Sequence, residues 1–139
     1  MRNSKPILLV DDDRADAMMV RRAFRELEVT NPLVNPNNGE EALEYLRDDG
    51  NKKPCVILLD SNMPKMNSID FLRIIKANEA LKEIPVVVLT TSKNNQHARE
   101  SLNLGATGHI VKPADWENLA ETIRVIDSYW TLSELPNES

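Results

Sequence analysis

Residues 84–91, "IPVVVLTT", constrain the chain more than any other stretch. A dense β-branched run without polar alternation suits a strand whose two faces are both covered, as in a parallel sheet with helices on either side. Two companions have the same character, "PILLV" near the start and "CVILLD" from Cys55 to Asp60. Each run gives way to helix-like spacing. After the first, Ala17, Val20, Phe24 and Leu27 within "DDDRADAMMVRRAFRELEV" fall on one face. After "CVILLD" and the Pro64 turn, Phe71, Leu72 and Ile75 do the same within "SIDFLRIIKANEAL".

The remaining segments complete the alternation. "NPLVNPN" is a weaker strand, because Pro32 and Pro36 each remove a ladder donor, and an edge position tolerates that best. "NGEEALEYLRDDG" predicts a helix starting near Asn38 and stopping at Gly50, with Ala42, Leu43 and Leu46 inward. "NNQHARESLNLG" predicts a short helix ending at Gly105. "TGHIV" predicts a last strand, followed by a helix in "DWENLAETIRVIDSYW" with Asp115 as its cap and Leu119, Ile123, Ile126 and Trp130 at helical spacing.

Five strand-helix units without a long linker predict one α/β domain with right-handed crossovers, too few units for an eight-unit barrel. The expectation is a three-layer sandwich around an open parallel five-stranded sheet, its second strand at an edge. The domain is expected over residues 5–130, with 131–139 as a C-terminal tail or short lid. At 139 residues, such a domain buries most of its apolar surface without staples. A single cysteine, Cys55, excludes an internal disulfide and reads as a buried thiol.

Composition narrows the partners. With 17 basic and 22 acidic residues the formal charge is −5, and no concentrated basic patch suggests nucleic acid. The four-residue apolar run before the first aspartates is too short for a signal peptide or membrane span, so a cytoplasmic protein with neither nucleic-acid nor membrane partner is expected. Patterns for a nucleotide-binding glycine loop, H-E-x-x-H and G-x-S-x-G are absent.

In open parallel folds, ligands gather beyond the carboxyl ends of the strands. Those ends here carry Asp11, Asp12 and Asp13, then Asp60, then Thr90 and Thr91, then Lys112. Clustered carboxylates favour a hard cation, and Mg²⁺ binds one or two of them while keeping waters beside phosphate. A lysine neutralises phosphoryl oxygens, a threonine hydroxyl donates to them, and an aspartate can become an acyl phosphate by nucleophilic attack. Asp60 then serves as nucleophile, Asp12 as main metal ligand, and Asp11 as outer ligand through water. Thr90 and Lys112 stabilise the product. The plainer reading has these aspartates as helix caps or turn formers, Thr90 as a strand residue and Lys112 as a solvated cation. His109 fits a partly buried sheet position, Met63 fills space at the turn, and His97 sits on a solvated helix. Trp116 and Trp130 anchor the final helix.

Four segments in order, "LLVDDD", "LLDSNMPKM", "VVVLTTS" and "GHIVKP", resemble the receiver domain of bacterial two-component response regulators. The resemblance implies a flavodoxin-like fold of strand order 2-1-3-4-5, and Asp60 receiving phosphate from a histidine kinase. It implies Mg²⁺ held by Asp11, Asp12, Asp60 and the backbone carbonyl of Asn62. It also implies switch roles for Thr90 and His109, a phosphate-facing Lys112, and a cis bond before Pro113. Phosphotransfer and self-dephosphorylation, rather than metabolic catalysis, would be its activity. The chain looks most like stand-alone receivers paired with phytochrome-type kinases, which implies a homodimer to which Tyr129 and Trp130 would add apolar surface. The downstream partner is not indicated. Where the family commonly has Asp-Gly after "MPKM", this chain has Asn67-Ser68, and Ser68 is expected to cap the following helix. Two other readings stand beside the switch: a phosphohydrolase with an aspartyl intermediate, and a phosphate-independent interaction module.

Overall fold

The computed structural model describes residues 5–26, 31–60, 68–91, 100 and 103–112; for Thr90, Thr91 and 109–112 it describes the backbone alone. Its elements are β1 (Ile7–Val10), α1 (Arg14–Glu26), β2 (Leu33–Val34), α2 (Gly39–Arg47), β3 (Val56–Asp60), α3 (Ser68–Ala77), β4 (Val86–Thr91) and β5 (Gly108–Lys112). The strands form one sheet of order β2-β1-β3-β4-β5, and every pairing is parallel. The expected five-stranded order is therefore found. Leu27, His97, Met63, Asn67 and residues 113–139, including the last helix, Trp116, Tyr129 and Trp130, lie outside the described residues.

Period-two alternation splits the apolar runs between two cores. Leu8, Val10, Ile57, Leu59, Val86 and Val88 face a cluster completed by Ala42, Leu43 and Leu46 of α2 and by Phe71, Leu72 and Ile75 of α3. Ile7, Leu9, Val56, Leu58, Val87 and Leu89 face the other way, onto Ala17, Val20 and Phe24 of α1. Burial on both faces is why these strands carry no polar alternation. Each fully buried Val, Leu or Ile contributes about 1.5–3 kcal/mol, so the two cores together define the layers. Cys55 is a buried thiol, as expected, and belongs to the second cluster.

Helix ends follow local polar chemistry. The Asn38 carboxamide oxygen accepts from the Glu41 N–H at 2.9 Å, and Glu41 Oε1 accepts from the Asn37 N–H at 3.1 Å, closing the start of α2 from both sides. The expected stop at Gly50 comes three residues early, at Arg47. Asp48 turns the chain by accepting from the Gly50 N–H at 2.8 Å, while the Asn51 and Lys53 side chains donate to the carbonyls of Tyr45 and Leu46. Gly105 has φ +104°, the left-handed conformation that the expected helix stop requires.

Ser68 departs from expectation. It is the first residue inside α3, it is fully buried, and among the described residues its hydroxyl makes no hydrogen bond. A hydroxyl already within the first turn does not occupy the capping position, where the side chain accepts from the free N–H groups.

The edge strand solves its proline problem with asparagine. Ile7 lies opposite Leu33, and the Ile7 N–H donates to Pro32 O at 2.8 Å. Continued in this parallel register, the ladder needs N–H donors at positions 32, 34 and 36 for the carbonyls of Lys5, Ile7 and Leu9. Two of those positions are prolines. In each case the asparagine just before the proline supplies the donor: Asn31 Nδ2 reaches Lys5 O at 2.8 Å, and Asn35 Nδ2 reaches Leu9 O at 2.7 Å. A carbonyl stripped of such a donor costs about 1–3 kcal/mol when buried, so the paired Asn-Pro steps let β2 tolerate both prolines.

Candidate functional site

The strand register builds the site. Val10 of β1 lies opposite Leu59 of β3, so the next residues out, Asp11 and Asp60, leave adjacent strands side by side. Strand order reverses at β1, with β2 on one side and β3 on the other, and the crevice at such a reversal is where ligands bind in open α/β sheets. Asp11 is 1% exposed and Asp60 3% exposed, whereas Asp12 is open to solvent. One carboxylate oxygen from each of Asp11, Asp12 and Asp60 lies within 4.8 Å of the others.

The triplet divides its labour. Asp13 does not join the group: its Oδ1 accepts from the N–H groups of Ala15 at 2.8 Å and Asp16 at 3.3 Å, which caps α1. The capping reading is therefore right for Asp13, while Asp11 and Asp12 turn toward Asp60. Asp11 Oδ1 also accepts from the Asp13 N–H at 2.9 Å, which ties the acidic turn to the start of α1. Across the sheet, Asp60 lies opposite Leu89 of β4, and Leu89 opposite Ile110 of β5. The next row outward pairs Thr90 with Val111, and the one after pairs Thr91 with Lys112. His109 pairs with Val88, one row inward of the Asp60 row. Thr90 and Lys112 thus sit at the same end of the sheet as the carboxylates. Asn62 and Pro113 lie outside the described residues.

A donor set of three carboxylates, two buried and one exposed, fits a hard divalent cation that takes oxygen ligands and keeps water on its open side. Two buried acids brought this close repel one another, and a cation between them relieves that cost. Each side chain of this group among the described residues is a carboxylate, a hard oxygen donor that suits oxygen-seeking rather than softer metals.

One contributor was not anticipated from the sequence. Asn35 Nδ2 donates to Asp11 O at 3.0 Å as well as to Leu9 O, so the β2–α2 connection holds the backbone of the acidic turn. Its signal was an asparagine directly before a proline in a strand that had lost its donors.

The outer face of α1 is also distinctive. Met18 is 70% exposed and Met19 40%, in a chain whose other described large apolar residues are mostly covered. Arg21, Arg22 and Arg25 surround them in a shallow hollow. Among the described residues, no helix is long and apolar enough to cross a membrane.

Comparison with known proteins agrees with this geometry. A model of the response regulator receiver domain matches residues 7–124. The chain is 39% identical over 127 residues to a probable methanogenesis regulatory protein, FilR2, of Methanothrix harundinacea, covering 89% of this chain and 82% of that one. It is 35% identical over 130 residues to the response regulator Rcp1 of a Synechocystis strain, covering 91% and 88%. Among solved structures, the Mn²⁺-bound form of Rcp1 superposes with TM-score 0.77 at 34% identity, covering 91% of this chain and 94% of that one. The phosphorylated cyanobacterial phytochrome response regulator RcpA gives TM-score 0.78 at 34% identity, covering 92% and 94%. With its parallel sheet, its acidic crevice and a family match over most of its length, this chain belongs to the response regulator receiver domain family of two-component signalling.

Proposed function

We propose that the protein is a phosphorylation switch in which Asp60 is the phosphoryl acceptor and Mg²⁺ the cofactor. The reading rests on one observation above the others: Asp60 ends β3 almost fully buried, with carboxylate oxygens of Asp11 and Asp12 within 4.8 Å. In the transfer, an Asp60 oxygen attacks phosphorus while the bond to the donor breaks. With a phosphohistidine donor the imidazole leaves and the phosphoryl group becomes an acyl phosphate. Mg²⁺ held by Asp12, Asp60, the Asn62 carbonyl and, through water, Asp11 would offset charge on the phosphoryl oxygens during that step. Lys112 and the Thr90 hydroxyl are assigned to those oxygens, and His109 to a conformational response when Thr90 engages them.

The donor is a sensor histidine kinase. A phytochrome-like kinase is the partner favoured by the similarity to Rcp1 and to the phytochrome regulator RcpA. The exposed methionines of α1, flanked by arginines, suit contact with that kinase.

Incubation with acetyl phosphate and Mg²⁺, followed by intact-mass analysis, tests the proposal. A single phosphoryl adduct that needs Mg²⁺ and vanishes in Asp60→Asn is expected. An adduct that persists in Asp60→Asn would overturn the assignment of the acceptor.

A further inference from the structure

We infer that Asn35 is a positioning residue for the metal site, acting through the backbone of the acidic turn. Its carboxamide nitrogen reaches three carbonyl oxygens: Leu9 at 2.7 Å, Asp11 at 3.0 Å and Pro36 at 3.3 Å. The first contact replaces the ladder donor that Pro36 lacks. The second reaches past the end of β1 to the residue whose carboxylate enters the crevice. The Asp11 N–H donates in turn to Pro36 O at 3.3 Å, so both backbone polar groups of Asp11 are engaged by the Asn35-Pro36 step.

That bracing matters because Asp11 and Asp12 stand beyond the last paired residue of β1, Val10. Beyond a strand end, the ladder no longer dictates where the next peptide planes point. The Asn35 amide fixes the plane that links Asp11 to Asp12, and therefore the separation of their carboxylates from that of Asp60. Outer groups that orient ligands in this way typically change metal affinity by about tenfold or more when removed.

The fold contains its own control. Asn31 uses the same amide device at the opposite end of β1, donating to Lys5 O at 2.8 Å, far along the strand from the carboxylates. If these asparagines merely mend an edge strand, their loss should act alike. If Asn35 also positions the site, only its loss should reach the metal.

This inference rests on the acidic crevice being a cation site, and its test reads the cation directly. The dissociation constant for Mg²⁺ is measured by calorimetry on the full chain as wild type, Asn31→Ala and Asn35→Ala. Urea unfolding without metal is followed in parallel. Asn35→Thr, suited to extended backbone, takes the place of Asn35→Ala if that variant does not fold. The expected result is lower stability in both variants and weaker Mg²⁺ binding, by about tenfold, in the Asn35 variant alone. Acetyl phosphate labelling of the Asn35 variant should then recover toward the wild-type rate at saturating Mg²⁺, a change in metal requirement without a matching change in maximal rate. Unchanged Mg²⁺ affinity in the Asn35 variant, or equal weakening in both variants, would overturn the inference. Wild-type protein that binds Mg²⁺ without becoming labelled would overturn the phosphoacceptor reading and leave the role of Asn35 standing.

Discussion

Replacing Asp60 with asparagine should make the metal-free protein more stable, although it removes the proposed acceptor. Carboxylate oxygens of Asp11, Asp12 and Asp60 lie within 4.8 Å of one another, so Asp60 takes part in two like-charge pairs. At 4.8 Å, Coulomb's law gives about 0.9 kcal/mol per pair in a water-like dielectric and about 3.5 kcal/mol at an effective dielectric of about 20. Exposure of Asp12 keeps one pair near the lower figure. Asparagine keeps the shape of the side chain and removes both pairs, and with the other contacts of Asp60 and the unfolded chain offsetting most of that, a net gain of about 1 kcal/mol is expected. For a chain of 139 residues that is a rise in melting temperature of about 3–4 °C. Mg²⁺ should then narrow the gap, because a ligand at ten times its dissociation constant stabilises the wild type by about 1.4 kcal/mol and has fewer charges to bind in the variant. Thermal and urea unfolding of both proteins, with chelator and with Mg²⁺, checks each part. A metal-free Asp60→Asn protein less stable than wild type, or a gap unchanged by Mg²⁺, would refute the account of the carboxylates as a strained group relieved by a cation.

Other perturbations separate fold from signalling. Asn38→Ala removes the oxygen that accepts from the Glu41 N–H and should cost about 1 kcal/mol, read as a lower urea midpoint with labelling intact. Phe71→Ala, at a fully buried position in the core under α2 and α3, should cost about 3–5 kcal/mol, seen in the same unfolding assay. Met18→Glu, at the exposed face of α1, should slow phosphotransfer from the kinase while leaving labelling by acetyl phosphate and the melting temperature unchanged.

The sequence was most legible where burial dictates residue type. The runs ending at Val10, Asp60 and Thr91 had to be covered on both faces, and that alone required a parallel sheet with helices on either side. The register then carried Asp11 and Asp60 to neighbouring strand ends, so the core of the site was readable as strand-end acids. What periodicity could not separate was the work of three consecutive aspartates. Asp13 caps α1 while Asp11 and Asp12 face Asp60, a division set by backbone direction at the turn rather than by side-chain chemistry. Ser68 was misread for a related reason, since a shift of one residue turns a capping hydroxyl into a buried first-turn hydroxyl. The Asn-Pro steps of β2 were visible only as a deficit. Their prolines announced missing donors, but that the preceding asparagine amides reach across to β1 depends on the pairing register, which a single sequence does not display.

The central claim is that phosphate arrives on one particular carboxylate among three that lie close together. Borohydride reduces an acyl phosphate on aspartate to the corresponding alcohol, homoserine, so peptide mass mapping after acetyl phosphate treatment reports which residue carried the group. The account predicts homoserine at position 60 alone, dependent on Mg²⁺. Homoserine at position 11 or 12, with Asp60 unmodified, would contradict it.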